Sequence, residues 1–132
     1  MRALVATPSP WVERWAPLIR AGGSVLDVAC GRGRHVHWLS EQGFALTALD
    51  RDADALNGLQ GLAETVVADI EADPWPLAGR RFDAVVVTNY LWRPLWPHLL
   101  GALADGGVLI YETFAVGNET VGRPARAEFL LR

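Results

Sequence analysis

The chain has 132 residues, 51% of them apolar and 20% charged, which suits one folded domain with a single core and excludes a disordered protein. Its formal charge of −3 provides no positive field that would attract nucleic acid or an acidic membrane surface, which disfavours both as partners. A single cysteine, the absence of a long apolar leader and the lack of any run of ~20 apolar residues predict a cytoplasmic protein.

The first half of the chain alternates between helical and strand patterns. Residues 10–20 have helical spacing of apolar side chains, although a proline near the end must stop or kink that helix. Residues 24–28 and 44–49 are short apolar runs typical of strands, and residues 34–42 between them predict a helix. Residues 53–62 can form only a short helix, because two glycines interrupt it.

The second half continues the alternation. Residues 65–68, 82–88 and 107–113 predict three more strands, and residues 96–104 predict a helix before the last of them. Residues 70–81 contain too many glycines and prolines for a helix and predict a loop. Strands this apolar are covered on both faces, so the pattern predicts an α/β fold with a doubly wound, mostly parallel sheet.

The most informative segment is VLDVACGRGRH, residues 25–35, where an apolar strand passes through a glycine-rich turn into a helix. Gly31 and Gly33 allow the backbone to approach a ligand closely, and the start of the helix supplies unpaired N–H groups. A dinucleotide-binding loop needs a third glycine, at the position of Val36. That glycine is absent, and Asp27 precedes the loop instead.

This loop resembles that of class I S-adenosylmethionine-dependent methyltransferases, and residues 30–35 look like the tellurite-resistance-type branch. Ala29 departs from the pattern, since the family commonly has glycine there, and we expect only a slight change in the loop. The resemblance implies a Rossmann-like sheet with strand order 3-2-1-4-5. It also implies two further strands after the fifth, so we expect residues 1–132 to be one domain that is truncated before them.

The resemblance continues at the ends of the later strands. It implies that Asp50 accepts hydrogen bonds from both ribose hydroxyls, that Asp69 accepts one from the adenine amino group and that Ile70 packs near the ring. Arg34 is in a position to pair with the carboxylate of the cofactor. The predicted cofactor-binding residues are Asp27, Ala29, Gly31, Gly33, Arg34, Asp50, Arg51, Asp69, Ile70, Asn89 and Tyr90.

The resemblance implies methyl transfer from S-adenosylmethionine, and we expect a small-molecule acceptor. A sulfonium methyl is already activated, so a catalytic base is optional; the weak candidates for one are Tyr90, His98 and Glu112. The three histidines fit no zinc spacing, and we expect no metal.

Two other functions remain open. One is a nicotinamide-dependent oxidoreductase domain, which Asp27 and the missing third glycine disfavour. The other is a non-catalytic cofactor-binding or interaction module. If the chain is complete, the fifth strand is an exposed apolar edge, from which we expect either a homodimer paired through that strand or poor solubility.

Overall fold

The computed structural model describes residues 7–113, 124–126 and 129–131. Its helices are α1 (Pro10–Trp15), α2 (Arg34–Glu41), α3 (Ala53–Asn57) and α4 (Trp96–Gly101), with 3₁₀ turns at Ala16–Leu18 and Arg93–Leu95. Its strands are β1 (Ser24–Val28), β2 (Ala45–Asp50), β3 (Ala63–Val67), β4 (Phe82–Thr88), β5 (Leu103–Glu112), β6 (Pro124–Arg126) and β7 (Phe129–Leu131).

One sheet organises the fold, with strand order β3-β2-β1-β4-β5-β7-β6. Strands β1 to β5 are all parallel, so their carboxyl ends lie at the same edge of the sheet. The predicted order 3-2-1-4-5 is confirmed. In such sheets the crevice outside the carboxyl ends is where ligands bind.

The core has two layers because both faces of the central strands are buried. Val25 of β1 belongs to a cluster that includes Val12 of α1 and Val36 of α2. The next residue, Leu26, faces the opposite way and packs in a second cluster with Leu99 of α4. Side chains alternate along a strand, so a continuously apolar strand supplies both layers. The doubly wound arrangement predicted from these apolar runs is therefore confirmed.

The helices are shorter than their patterns predict. The first ends at Trp15 and continues as a 3₁₀ turn around Pro17, because proline cannot donate to the preceding turn. Helix α3 stops at Asn57, immediately before Gly58. The predicted loop at residues 70–81 is free of helix and strand.

The edge of the sheet differs from the prediction. The backbone of β7 pairs in parallel with β5 over Leu109 to Tyr111, and β6 pairs antiparallel with β7. The fifth strand is therefore covered by backbone pairing over these residues, and the five-stranded parallel sheet predicted from the sequence lies beside β7. Short strands of three residues carry too little periodicity to be recognised in the sequence.

Candidate active site

The glycine-rich loop lies at the carboxyl end of β1 and uses three left-handed backbone conformations. Ala29 has φ 56°, Gly31 has φ 58° and Gly33 has φ 82°. Gly33 is also the residue from which α2 starts. An alanine in this conformation carries a steric cost that a glycine avoids, of about 1 kcal/mol. Ala29 nevertheless adopts the left-handed conformation that the turn requires.

Asp50, the last residue of β2, fastens this loop. The backbone N–H of Gly31 donates to Asp50 Oδ2 at 2.8 Å, and the N–H of Asp52 donates to Asp50 Oδ1 at 2.9 Å. Each carboxylate oxygen can accept a second hydrogen bond. The side chain therefore orients the loop and retains acceptor capacity for a ligand.

A pocket of about 210 Å³ opens beside Asp50 at this edge of the sheet. Six of its nine lining residues were predicted from the sequence: Ala29, Asp50, Arg51, Asp69, Ile70 and Tyr90. The other three, Leu49, Ala68 and Glu71, were missed. Each of these three lies within two positions of a predicted residue, so strand-end position was the signal that could have found them.

Part of the pocket lining comes from the segments after β3 and β4. Asp69 Oδ1 accepts from the N–H of Glu71 at 3.0 Å, an interaction that holds the turn and leaves the other oxygen of this carboxylate for a ligand. The Tyr90 hydroxyl donates to Glu71, and the Tyr111 hydroxyl donates to the backbone carbonyl of Tyr90. These contacts connect the ends of three strands around the pocket.

Asp27 lies beneath the loop in an unusual state for a carboxyl group. It is 1% exposed, and neither of its side-chain oxygens has a hydrogen-bond partner among the described residues. Burial, and then the nearby charge of Asp50, raise its pKa to about 8, while Arg34 acts in the opposite direction. A buried acid without a partner is suited to receive a cationic group.

The first turn of α2 contacts the segment that precedes α1. Arg34 Nη1 donates to the carbonyl of Thr7 at 3.4 Å. His35 Nε2 accepts from the N–H of Ser9 at 3.0 Å, so this histidine is uncharged, and burial followed by the charge of Arg34 lowers its pKa to about 4. Residues 7–9 therefore cover the start of α2.

The three candidate bases are not brought to one place. Tyr90 lines the pocket, whereas Glu112 lies at the end of β5 and accepts from the Ser9 hydroxyl. His98, on α4, stacks on Trp75 with ring centroids 5.4 Å apart and does not line the pocket. Asn89 has φ 55° and its N–H donates to the Glu112 carbonyl.

Four predicted cofactor residues besides Asn89 lie outside the pocket lining. Asp27, Gly31, Gly33 and Arg34 occupy the loop and helix start adjacent to it. Within the described ranges, no group of three or more His, Cys, Asp or Glu side chains is arranged to hold a metal ion. None of the helices in the described part of the chain is long and apolar enough to cross a bilayer.

Comparison with known proteins identifies the family. The methyltransferase domain family matches residues 25–106, which is more than half of the chain and includes both the glycine-rich loop and the pocket. The chain belongs to this family. A search of curated proteins finds no match.

Solved structures share the fold. A TehB-like methyltransferase from Corynebacterium glutamicum is 24% identical with a TM-score of 0.67, over 83% of this chain and 65% of that one. Coclaurine N-methyltransferase bound to N-methylheliamine and SAH is 19% identical with a TM-score of 0.63, over 75% and 32%. The DhpI-SAM-HEP complex is 30% identical with a TM-score of 0.54, over 76% and 54%. This chain thus spans between a third and two thirds of their lengths.

Proposed function

We propose that this chain binds S-adenosylmethionine and transfers its methyl group to a small-molecule acceptor. The observation that carries the proposal is the hydrogen bond from the Gly31 amide to Asp50 at the mouth of the pocket. It joins the glycine-rich loop to the acid that, in this proposal, accepts from the ribose. Two similar folds, coclaurine N-methyltransferase and DhpI, are described as complexes with SAH and with SAM.

The residues fit the parts of this cofactor. Asp50 would accept from the ribose hydroxyls, with Arg51 beside it, and Asp69 and Ile70 would hold the adenine at the far end of the pocket. A Cβ at Gly31 would meet no heavy atom within 4 Å, so open space lies against the loop backbone. Asp27 and Arg34 would take the amino and carboxylate groups of the methionine end, with Asn89 and Tyr90 nearby.

The cofactor supplies a methyl group on a sulfonium centre that is already activated for transfer. The chain's own residues therefore need to orient the acceptor and exclude water. Burial, and then the Glu71 carboxylate, raise the pKa of Tyr90, so its phenol keeps its proton at neutral pH and is a poor general base. We propose a positioning mechanism without an obligatory base.

The proposal also covers the branch of the family, the kind of partner and the location of the protein. Residues 30–35 support the tellurite-resistance-type branch, and the TehB-like neighbour, at 24% identity, has the same fold. The charge of −3 supports a partner other than nucleic acid, and a cytoplasmic location rests on the sequence alone. A homodimer through the fifth strand is disfavoured, because the backbone of β7 pairs with that strand over three residues.

Titration calorimetry with S-adenosylhomocysteine tests the function. We expect binding by the native chain, and a loss of about 100-fold in affinity in Asp50→Ala, where loop anchor and ribose acceptor disappear together. Asp54→Ala, in the exposed first turn of α3, is the matched control. Binding of NADH instead would favour the oxidoreductase, and binding of neither would favour an interaction module.

A further inference from the structure

Ser9 stands at the junction of three elements that are distant in sequence. Its hydroxyl donates to Glu112 at the end of β5 and accepts from the N–H groups of Trp11 and Val12 at the start of α1. Its own N–H donates to His35 in α2. The carbonyl of Ser9 accepts from Glu13 at 3.0 Å, so every polar group of this residue has a partner. It is 4% exposed.

Such complete pairing fixes the residue in one position. A hydroxyl has one donor and two acceptor sites, and all three are in use here. A buried polar group that loses its partner carries a large desolvation cost, so the three elements resist separation. Since His35 is 2% exposed as well, water cannot readily replace the bond between α2 and Ser9.

The same junction holds the cofactor loop. His35 is the second residue of α2, and Gly33, the last residue of the glycine-rich loop, precedes that helix directly. The neighbouring Arg34 donates to the carbonyl of Thr7, so two consecutive side chains of α2 form hydrogen bonds with residues 7–9. The position of the first turn of α2 therefore depends on the segment before α1.

We propose that Ser9 is a positioning residue of the cofactor site: by joining His35 to Glu112 it holds the first turn of α2 and the loop before it against the end of β5. This inference rests on the proposed function, since it concerns the same site. Residues 7–9 would then support the Arg34 guanidinium, which donates to the Thr7 carbonyl. The uncharged state of His35 matches this role, because only a neutral Nε2 can accept from the Ser9 amide.

The experiment compares four variants of the chain. Ser9→Ala removes the hydroxyl, and His35→Leu removes the acceptor of the Ser9 amide. His35→Gln retains a side-chain oxygen that can replace Nε2 as an acceptor. Ser40→Ala, in the last turn of the same helix, is the matched control. Affinity for S-adenosylhomocysteine and hydrogen exchange of the amides of residues 33–36 are both measured, with thermal unfolding to verify folding.

We expect Ser9→Ala and His35→Leu to weaken binding by about tenfold and to accelerate exchange in the first turn of α2. His35→Gln should stay within about threefold of the native chain, and Ser40→Ala should be unchanged. Native affinity in folded Ser9→Ala, or equal losses in His35→Gln and His35→Leu, would overturn the proposal. If the native chain does not bind S-adenosylhomocysteine but Ser9→Ala still accelerates exchange, the proposed function is wrong while the connection between Ser9 and α2 is supported. If the native chain does not bind and exchange in Ser9→Ala is unchanged, both the proposed function and the role of Ser9 are wrong.

Discussion

The amide of Gly31 and the carboxylate of Asp50 are joined by a 2.8 Å hydrogen bond between the ends of β1 and β2. The two residues are neighbours only because β1 and β2 are adjacent and parallel, with Val28 opposite Leu49. Asp50 therefore shapes the loop, and in the proposed site it would have a second role as an acceptor for the ribose.

Asp50→Asn separates these two roles. An amide keeps one oxygen, so it can accept from either Gly31 or Asp52 but presents an NH₂ group to the other donor. We expect an affinity for S-adenosylhomocysteine about tenfold below that of the native chain, between the native and the alanine variant. Calorimetry of the two variants side by side measures this. Equal losses in both would mean that charge, and not the number of acceptors, governs binding.

The glycines of the loop differ in what surrounds them. A Cβ on Gly33 would lie 2.6 Å from Leu59 Cδ2, whereas one on Gly31 would meet nothing within 4 Å. Both have positive φ, as has Ala29, where the loop already tolerates a side chain. We expect Gly33→Ala to lower the free energy of unfolding by about 2 kcal/mol more than Gly31→Ala does.

Urea unfolding measures that difference. Gly79→Ala provides the control, because Gly79 has φ 83° and open space around it, in the loop at residues 70–81. The free energy of unfolding should fall by the same amount in Gly79→Ala as in Gly31→Ala, since in both variants only the left-handed backbone conformation is unfavourable for alanine. If all three variants lose the same free energy, the contact with Leu59 relaxes at no cost and the explanation from packing is incorrect.

Strand ends explain why much of the site could be predicted. Asp50 ends β2, and Asp69 and Tyr90 come two residues after the ends of β3 and β4. A parallel sheet brings such positions to one edge. Apolar runs identify buried strands well, so the five strands and both core layers were accessible from the sequence, whereas the strand order came from the family resemblance.

Contacts between distant segments could not be predicted in this way. Ser9 and Glu112 are 103 positions apart, and nothing in the periodicity of either segment points to the other. Helix lengths were overestimated where a proline or glycine competes with a continuing apolar pattern, as at Pro17 and Gly58. The pairing of β7 with β5 depends on tertiary context, which decides the fate of a three-residue segment.

Variants of Tyr90 test how its ring and its hydroxyl contribute to cofactor binding. Its ring lines the pocket and its hydroxyl donates to Glu71, which is exposed. We expect Tyr90→Phe and Glu71→Gln to keep the affinity for S-adenosylhomocysteine within about threefold, because water can replace an exposed hydrogen bond. Tyr90→Ala should weaken binding by about tenfold, since it removes the wall itself. A loss in Tyr90→Phe as large as in Tyr90→Ala would assign the binding energy to the hydroxyl instead.

Asp27 should make the ligand-free chain less stable as the pH rises. Burial raises its folded-state pKa from 3.8 to about 8, so between these values the folded state holds a proton that the unfolded state has released. The stabilisation present below pH 3.8 is therefore lost as the pH rises through the folded-state pKa, by about 4 kcal/mol between pH 5 and pH 8.

Thermal unfolding of the native chain and of Asp27→Asn at both pH values isolates this effect. The difference between the two proteins cancels the contribution of His35, whose lowered pKa acts in the opposite direction below pH 6.5. We expect the midpoint of the native chain relative to Asp27→Asn to fall by on the order of 10 °C from pH 5 to pH 8. Equal shifts of the unfolding midpoint in the native chain and in Asp27→Asn would show that Asp27 is ionised in the folded state at pH 5.

The same carboxyl group should couple the proposed cofactor binding to proton release. Asp27 is protonated in the free chain at pH 7, and a cationic amino group beside it would favour the carboxylate. Binding of S-adenosylhomocysteine should therefore release about one proton at pH 7 and almost none at pH 9, where the free chain has already lost it. Calorimetry at each pH in two buffers measures the number of protons released, because the observed enthalpies differ by that number multiplied by the difference between the ionisation enthalpies of the buffers. Asp27→Asn should bind more weakly and show the same enthalpy in both buffers. Equal enthalpies for the native chain at pH 7 would place the amino group away from Asp27 and leave the glycine-rich loop to hold the methionine end through its backbone.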